Sequence, residues 1–382
     1  MSVTELDTHA EEVLTRDHHA GREELLRLLA ERSSDSDLRG SPDPEVLTAL
    51  RESDVVGLVV PKRFGGSGSD FLKLNRTIAQ LAYYDPSIAI IAFQHLAVCA
   101  RIVEWGTRWQ QEKLLPELAS GRWLAASAWS ESGAGADKKN LSTSAEEHSD
   151  GRWSVSGGKA FTTGAGLADV YLVLAQSTDV RDAESSYGSY GQSFFLVPAD
   201  NPGIRPDTGL DLVGMRSSAT GFVQLHECEL PGDALLGPRD EAGSIIAEVK
   251  RSGATLGAVS LGIAEAAWDL VHEFARNKGL LGHQAHRHRL VELRARIEAV
   301  RGVVERAGSR VSEHPGNTTL YSKIFAAETS EEVVQALSRM LGSTGYVSGN
   351  PINRMQRDAR AVALMGPTND LSRELVSTSW TV

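Results

Sequence analysis

Four stretches of this sequence carry residues able to do chemistry on a bound group. In AWSESGAGADKKNLSTSAE, residues 128–146, glycines 133 and 135 follow Ser130-Glu131-Ser132. Glycines so closely spaced let backbone N–H groups approach an anion or a flat ring without obstruction by Cβ. No Gly-Lys-Ser/Thr follows, so the stretch is not a Walker loop, and the three-glycine dinucleotide fingerprint is incomplete. In VSGGKAFTTGAGLADVYLVLAQ, residues 155–176, Lys159, Phe161, Thr162 and Thr163 stand at the end of an expected strand before a glycine-rich turn. Read alone, Phe161 and Thr163 also suit plain strand alternation. The third stretch, GLDLVGMRSSATGFVQLHECELPGDALLG, predicts a strand pair ending in a Pro-Gly turn. The fourth, LSRMLGSTGYVSGNPINRMQRDARAVALMGPTNDL, ends where a helix rich in Arg and Ala stops on Gly366-Pro367 and resumes at once. His283 and His286, one helical turn apart in HQAHRHR, invite a metal; Arg287 and Arg289 surround them and no carboxylate joins locally, which argues for none.

The elements that position these residues change period twice. From Glu11 to about Ser120, apolar residues recur at three and four, as in REELLRLLAER and SIAIIAFQHLAVCARIVEWG, predicting helices separated by Gly and Pro. From about Trp123 the period shifts to two, in WSVSGGKAFTTG, DVYLVLAQS, SFFLVPAD and GFVQLHECEL, predicting a small antiparallel sheet domain. Between its strands the polar TDVRDAESSYGSYGQS reads as an exposed loop. After Gly237 the helical period returns in four long runs, which suggests an up-and-down bundle. The expected organisation is α+β: an N-terminal helical domain (1–122), a β-barrel-like middle domain (123–237) and a C-terminal four-helix bundle (238–382).

Length and composition set the class. The 382 residues need two or three cooperating units, and 41% hydrophobic with 23% charged residues is ordinary for a globular chain. A net charge of -11 argues against a nucleic-acid partner, since phosphate recognition needs a basic face. Cys99 and Cys228 sit far apart in apolar settings that suit buried thiols, hence a reducing compartment. The N-terminus lacks the apolar run of a secretory signal, and SIAIIAFQHLAVCA falls short of the roughly 20 residues of a membrane span. The expectation is a cytoplasmic protein with no membrane partner.

Taken in order, the four stretches resemble the acyl-CoA dehydrogenase family. Its Thr-Glu-Pro-Gly-Ala-Gly-Ser-Asp loop is similar to residues 130–137, its Gly-Ser-Lys-x-Trp/Phe-Ile-Thr-Asn-Gly strand to 158–164, its Leu-Gly-Met/Trp-Arg strand to 213–216, and its Gly-Gly-x-Gly-Tyr helix with Arg-Asp-Ala to 342–346 and 357–359. The resemblance covers nearly the whole chain and implies a flavoprotein, with FAD between sheet domain and bundle and partly held by a neighbouring subunit of a homodimer or homotetramer. It implies that Ser130 and Thr163 face the polar edge of the flavin ring, that Phe161 lies against the ring, and that Gly135, Gly342, Thr368 and Asp370 contact the cofactor. A hydride-accepting ring requires donors along its edge and an apolar wall behind it.

The chain departs from that pattern at three places. The family's Arg-x-x-Phe-Gly helix end, which meets the pyrophosphate, is represented by EFARNKGLLGHQAHRHRL with a deletion of about five residues; Arg276 or Lys278 could substitute. Arg339 stands where Gln is usual, and its guanidinium could pair bidentately with a phosphate. Most consequentially, the family's catalytic Glu, which takes the α-proton of an acyl thioester, corresponds to Gly366. An alternative family position for that Glu falls at Ser252 or Gly253, one turn from Glu248. Asp370 and Glu248 are the candidate substitutes, and the catalytic group is otherwise unknown. Three functions stay open. The first is an oxidoreductase on an acyl thioester of CoA or a carrier protein, with an electron acceptor, in polyketide or antibiotic biosynthesis. The second is a monooxygenase using FMN or reduced flavin from a reductase, with oxygen. The third is a non-redox flavoprotein or scaffold.

Overall fold

The computed structural model describes residues 20–133, 141–178 and 191–380. Among the described residues five α-helices come first: α1 (Ala20–Arg39), α2 (Pro44–Glu52), α3 (Phe71–Tyr84), α4 (Pro86–Trp105) and α5 (Arg108–Ala119). Short polar residues set their starts. Asp43 and Asp70 accept the backbone N–H of Glu45 and Lys73, and Asp85 accepts those of Ser87 and Ile88 with Pro86 in the first turn. Helix α4 is long and apolar enough to cross a membrane, but 83% of its apolar window is buried in the protein core.

The sheet strands are β1 (Ala125–Ala128), β2 (Ser144–Glu147), β3 (Trp153–Thr162), β4 (Val170–Gln176), β5 (Gln192–Pro198), β6 (Ile204–Asp207), β7 (Gly221–Leu230) and β8 (Leu235–Leu236). Their order is β6-β7-β3-β2-β4-β5-β8, with β1 beside β4. Among the described residues this pairing is an open path, and it is mixed where an antiparallel sheet was expected: β1 and β2 both run parallel to β4. The continuous apolar run of β4 explains its central place. Val170, Leu172 and Leu174 face the helical core, while Tyr171, Val173 and Ala175 face a second core with Trp153, Phe195 and Val197. The loop expected in TDVRDAESSYGSYGQS lies mostly outside the described residues. Cys99 and Cys228 are both buried as free thiols.

The C-terminal part holds α6 (Ala242–Arg251), α7 (Gly257–Asn277), α8 (Gln284–Ser309), α9 (Pro315–Met340), α10 (Pro351–Leu364) and α11 (Asn369–Ser377). Helix α7 lies hard against α3, since a Cβ on Gly262 would stand 2.2 Å from the Ala79 carbonyl oxygen. Buried Asn75 joins the units: its amide donates to the Gly253 carbonyl at 2.9 Å and its Oδ1 accepts the Thr255 N–H at 3.1 Å.

Two expected elements differ. Residues 213–216 form no strand; they belong to an irregular segment before β7 in which Met215 and Ala219 adopt left-handed backbone, with φ of 48° and 47°. Gly342–Tyr346 is a 3-10 turn at the end of α9, not an α-helix.

Candidate active site

Strand β3 presents its end residues unevenly because its register with β7 shifts between Lys159 and Thr162. The irregularity breaks simple alternation, so Lys159 is fully buried while Phe161, at φ 53°, turns its ring outward at 63% exposure. Thr162 and Thr163 are buried. The Thr163 hydroxyl lies 3.1 Å from that of Thr220, which lies 2.7 Å from that of Ser218, a row of hydroxyls at the strand ends.

The segment after β1 is pinned to this strand. The Ala160 N–H donates to the Ser130 carbonyl at 2.8 Å, and the Lys159 ammonium donates to Glu131 Oε1 at 2.7 Å. Glu131 also accepts the Ser142 N–H and hydroxyl at 2.7 and 2.6 Å and the Thr143 N–H at 3.1 Å. Burial opposes its charge, yet Lys159 and these donors prevail and hold the carboxyl down at about 2. Glu131 is a structural anion that the sequence reading quoted without a role.

Across from Ser130 stands the break between α10 and α11. A Cβ placed on Gly366 would lie 4.0 Å from the Ser130 hydroxyl oxygen and meet no nearer described neighbour. Ser130 therefore links the two halves: its carbonyl is tied to the strand carrying Phe161, and its hydroxyl faces Gly366. The Gly366–Pro367 peptide is cis. Thr368 caps α11 by accepting the Leu371 N–H at 3.2 Å.

The 213–216 segment and the Arg357-Asp358-Ala359 run form one joint. Asp358 accepts the Met215 N–H at 2.6 Å, and burial pushes its carboxyl up to about 7 against that bond and Arg354. A Cβ on Gly214 would stand 2.3 Å from the Arg357 carbonyl oxygen. Arg357 pairs with Asp37 through both Nη atoms and donates to the Val213 carbonyl; Arg216 donates to the Asp37 carbonyl. These motifs fasten sheet domain, bundle and α1 together.

The expected residues thus divide. Ser130, Phe161, Thr163 and Gly366 assemble at one corner. Arg339 and Gly342 do not join them: Arg339 lies 16 residues beyond Lys323 on α9 (339 minus 323), and Lys323 touches α11 at Asn369. At 1.5 Å per residue the separation is about 24 Å. Gly135 lies outside the described residues. The two substitute bases are not placed at the corner. The Asp370 carboxylate is 97% exposed and bound to Arg373, and Glu248 pairs with Arg251 and lies near Arg310. Asp370 lies in the solvent-facing part of the first turn of α11, and the alternative position at Gly253, after α6, could carry no side chain because its Cβ would stand 2.3 Å from the Ala307 carbonyl oxygen. Arg276 is exposed near Glu273, and Lys278 ends α7.

The corner suits a flat ring with a polar edge. Phe161 offers an exposed apolar face, its chain neighbours Ala160 and Thr163 tie it to Ser130 and to the hydroxyl row of Thr220 and Ser218, and the buried Trp129 Nε1 and Thr162 Oγ1 have no hydrogen-bond partner among the described residues. Buried donors ordinarily find acceptors, so these atoms leave capacity for a bound group.

Comparison with known proteins identifies the family. The chain matches the family descriptions "Acyl-CoA dehydrogenase, N-terminal domain" over residues 15–122, "middle domain" over 126–228 and "C-terminal domain" over 244–380. It is 30% identical over 359 residues to cyclohexane-1-carbonyl-CoA dehydrogenase of Geobacter metallireducens, covering 91% of this chain and 92% of that protein. It is 28% identical over 339 residues to L-prolyl-[peptidyl-carrier protein] dehydrogenase of Pseudomonas fluorescens, covering 85% of this chain and 87% of that one. The solved butyryl-CoA dehydrogenase of Megasphaera elsdenii superposes with a TM-score of 0.86 at 25% identity, covering 97% of this chain and all of that one. The chain belongs to the acyl-CoA dehydrogenase family, and with it to the FAD-dependent oxidoreductases.

Proposed function

We propose that this protein oxidises an acyl thioester whose reacting hydrogen is already activated by the substrate, as in a 2-hydroxyacyl or 2-hydroxymalonyl unit: C2 would lose its hydrogen as hydride, the hydroxyl proton would pass to water, and a 2-oxoacyl thioester would be left. The observation that carries this reading is Gly366, which leaves open space in front of Ser130 where its family places a carboxylate base. A base in such a site must sit charged in an apolar pocket and then hold the proton, and neither Asp370 nor Glu248 is positioned to do so. Bound FAD would supply the two-electron acceptor. Phe161 would back its ring, and Ser130 and Thr163 would bind its polar edge and orient it toward the thioester. The relative from Pseudomonas fluorescens, named for a carrier-protein substrate, supports a carrier-bound thioester beside a CoA one, in an antibiotic or polyketide pathway of the cytoplasm. We place Arg339 and Gly342 against the flavin of a second copy, in a homodimer or homotetramer.

The test is anaerobic bleaching of the visible flavin band of the holoenzyme. A 2-hydroxyacyl thioester should bleach it, and a saturated acyl-CoA should not. Gly366→Glu should gain bleaching by the saturated thioester, because the position is open to a side chain. Rapid bleaching of the wild type by a saturated acyl-CoA would sink this reading, and oxygen insertion by externally reduced flavin would replace it with a monooxygenase.

A further inference from the structure

The break between α10 and α11 is spanned by a side chain from a third helix. Lys323, in the middle of α9, is only 4% exposed. Its Nζ donates to Asn369 Oδ1 at 2.8 Å and to the Ala363 carbonyl at 3.3 Å, one bond on each side of Gly366-Pro367. Both bonds answer a need created by the break. The Ala363 carbonyl would ordinarily accept from the residue four positions on, but that residue is Pro367, which has no N–H. A cation there also lies favourably at the C-terminal end of the α10 dipole. Asn369, the first residue of α11, passes the link back to α9 by donating to Glu328 at 3.1 Å; Glu328 pairs with Arg373, which also binds Asp370 at 2.8 Å.

We propose that Lys323 is a positioning residue whose ammonium, bonded on both sides of the break, sets Gly366 in front of Ser130. Geometry alone carries this role, since one buried ammonium bonds to the carbonyl before the break and to the side chain after it. The role is testable by pH, because burial pulls the Lys323 amine down to about 7, countered by Glu328 of α9, lowered further by Arg373 and raised by Asp370, both of α11. Below that pH the two bonds are charge-assisted; above it they are neutral and about half as strong. Global stability moves the other way. With a folded value below the unfolded one of about 10.4, the unfolded chain binds more protons between the two, so stability rises with pH there.

The proposal rests on the reading that this corner flanks the reacting groups, but its test does not need the flavin. Cys99 and Cys228 are fully buried, so a nitroxide attached to Gly366→Cys reports the corner alone. The label should be immobile below pH 7 and mobile above it. In Lys323→Met the mobile signal should persist at every pH; in Lys323→Arg, which keeps its charge, the immobile signal should persist. A label immobile at all pH values in the Lys323→Met background, or a wild-type signal that does not change through pH 7, overturns the proposal. If Lys323→Met fails to fold, the wild-type series and Lys323→Arg decide. Flavin content of the unlabelled protein tests the underlying reading separately.

Discussion

At the scale of single residues, a buried pair supports the corner more than any exposed candidate does. Lys159 and Glu131 are 0% and 3% exposed, so removing one charge strands the other in the core. Lys159→Met should cost roughly 3–5 kcal/mol, read as a shift in urea midpoint at neutral pH. Acid should reveal the same pair. Glu131 titrates at about 2 in the folded protein, against about 4.3 when unfolded. Its contribution is therefore complete above the upper value and lost as pH falls through the lower one. Lys159→Met should move that loss to higher pH; an unchanged acid limb would show that the Ser142 and Thr143 donors hold the carboxylate unaided. The pair was not legible in the sequence, because Glu131 and Lys159 stand 28 residues apart and meet only when β1 and β3 enter one sheet. Ser130, Phe161 and Thr163 were legible as a set only through their order along the chain.

At the scale of elements, the segment joining β6 to β7 behaves as a fastener. Gly214 is pressed on the backbone of α10, and its neighbour Met215 is fixed by Asp358. Gly214→Ala should therefore cost about 1–3 kcal/mol by overpacking, with a lower urea midpoint and an unchanged slope. An unchanged midpoint would mean that the segment can draw back from α10 freely. The strand expected at 213–216 came with the family resemblance; the left-handed turn at Met215 is a tertiary outcome of the bond to Asp358 and leaves no local trace. Helices were far more legible, since Asp43, Asp70 and Asp85 mark their starts and apolar residues keep a helical period. Parallel pairing of β1 with β4 escaped the reading because strand direction depends on the intervening path and not on composition.

At the scale of the whole molecule, the two groups of cofactor candidates cannot serve one site within one chain by direct contact. Ser130, Phe161, Thr163 and Gly366 mark one corner, while Arg339 and Gly342 end α9 about 24 Å along the helix. The surface there is exposed and apolar in a way that a second copy would cover: Tyr346 is 93% and Val347 60% exposed, directly after Gly342. A site shared between copies predicts that flavin retention depends on assembly. Arg339→Ala should release FAD on gel filtration while leaving Tm of the apoprotein unchanged, because Arg339 is a surface residue with no structural burden. Dilution should release FAD from the wild type in step with dissociation followed by sedimentation. A monomer that keeps stoichiometric FAD, or full retention in Arg339→Ala, would place the whole cofactor on one chain and return the end of α9 to ordinary surface.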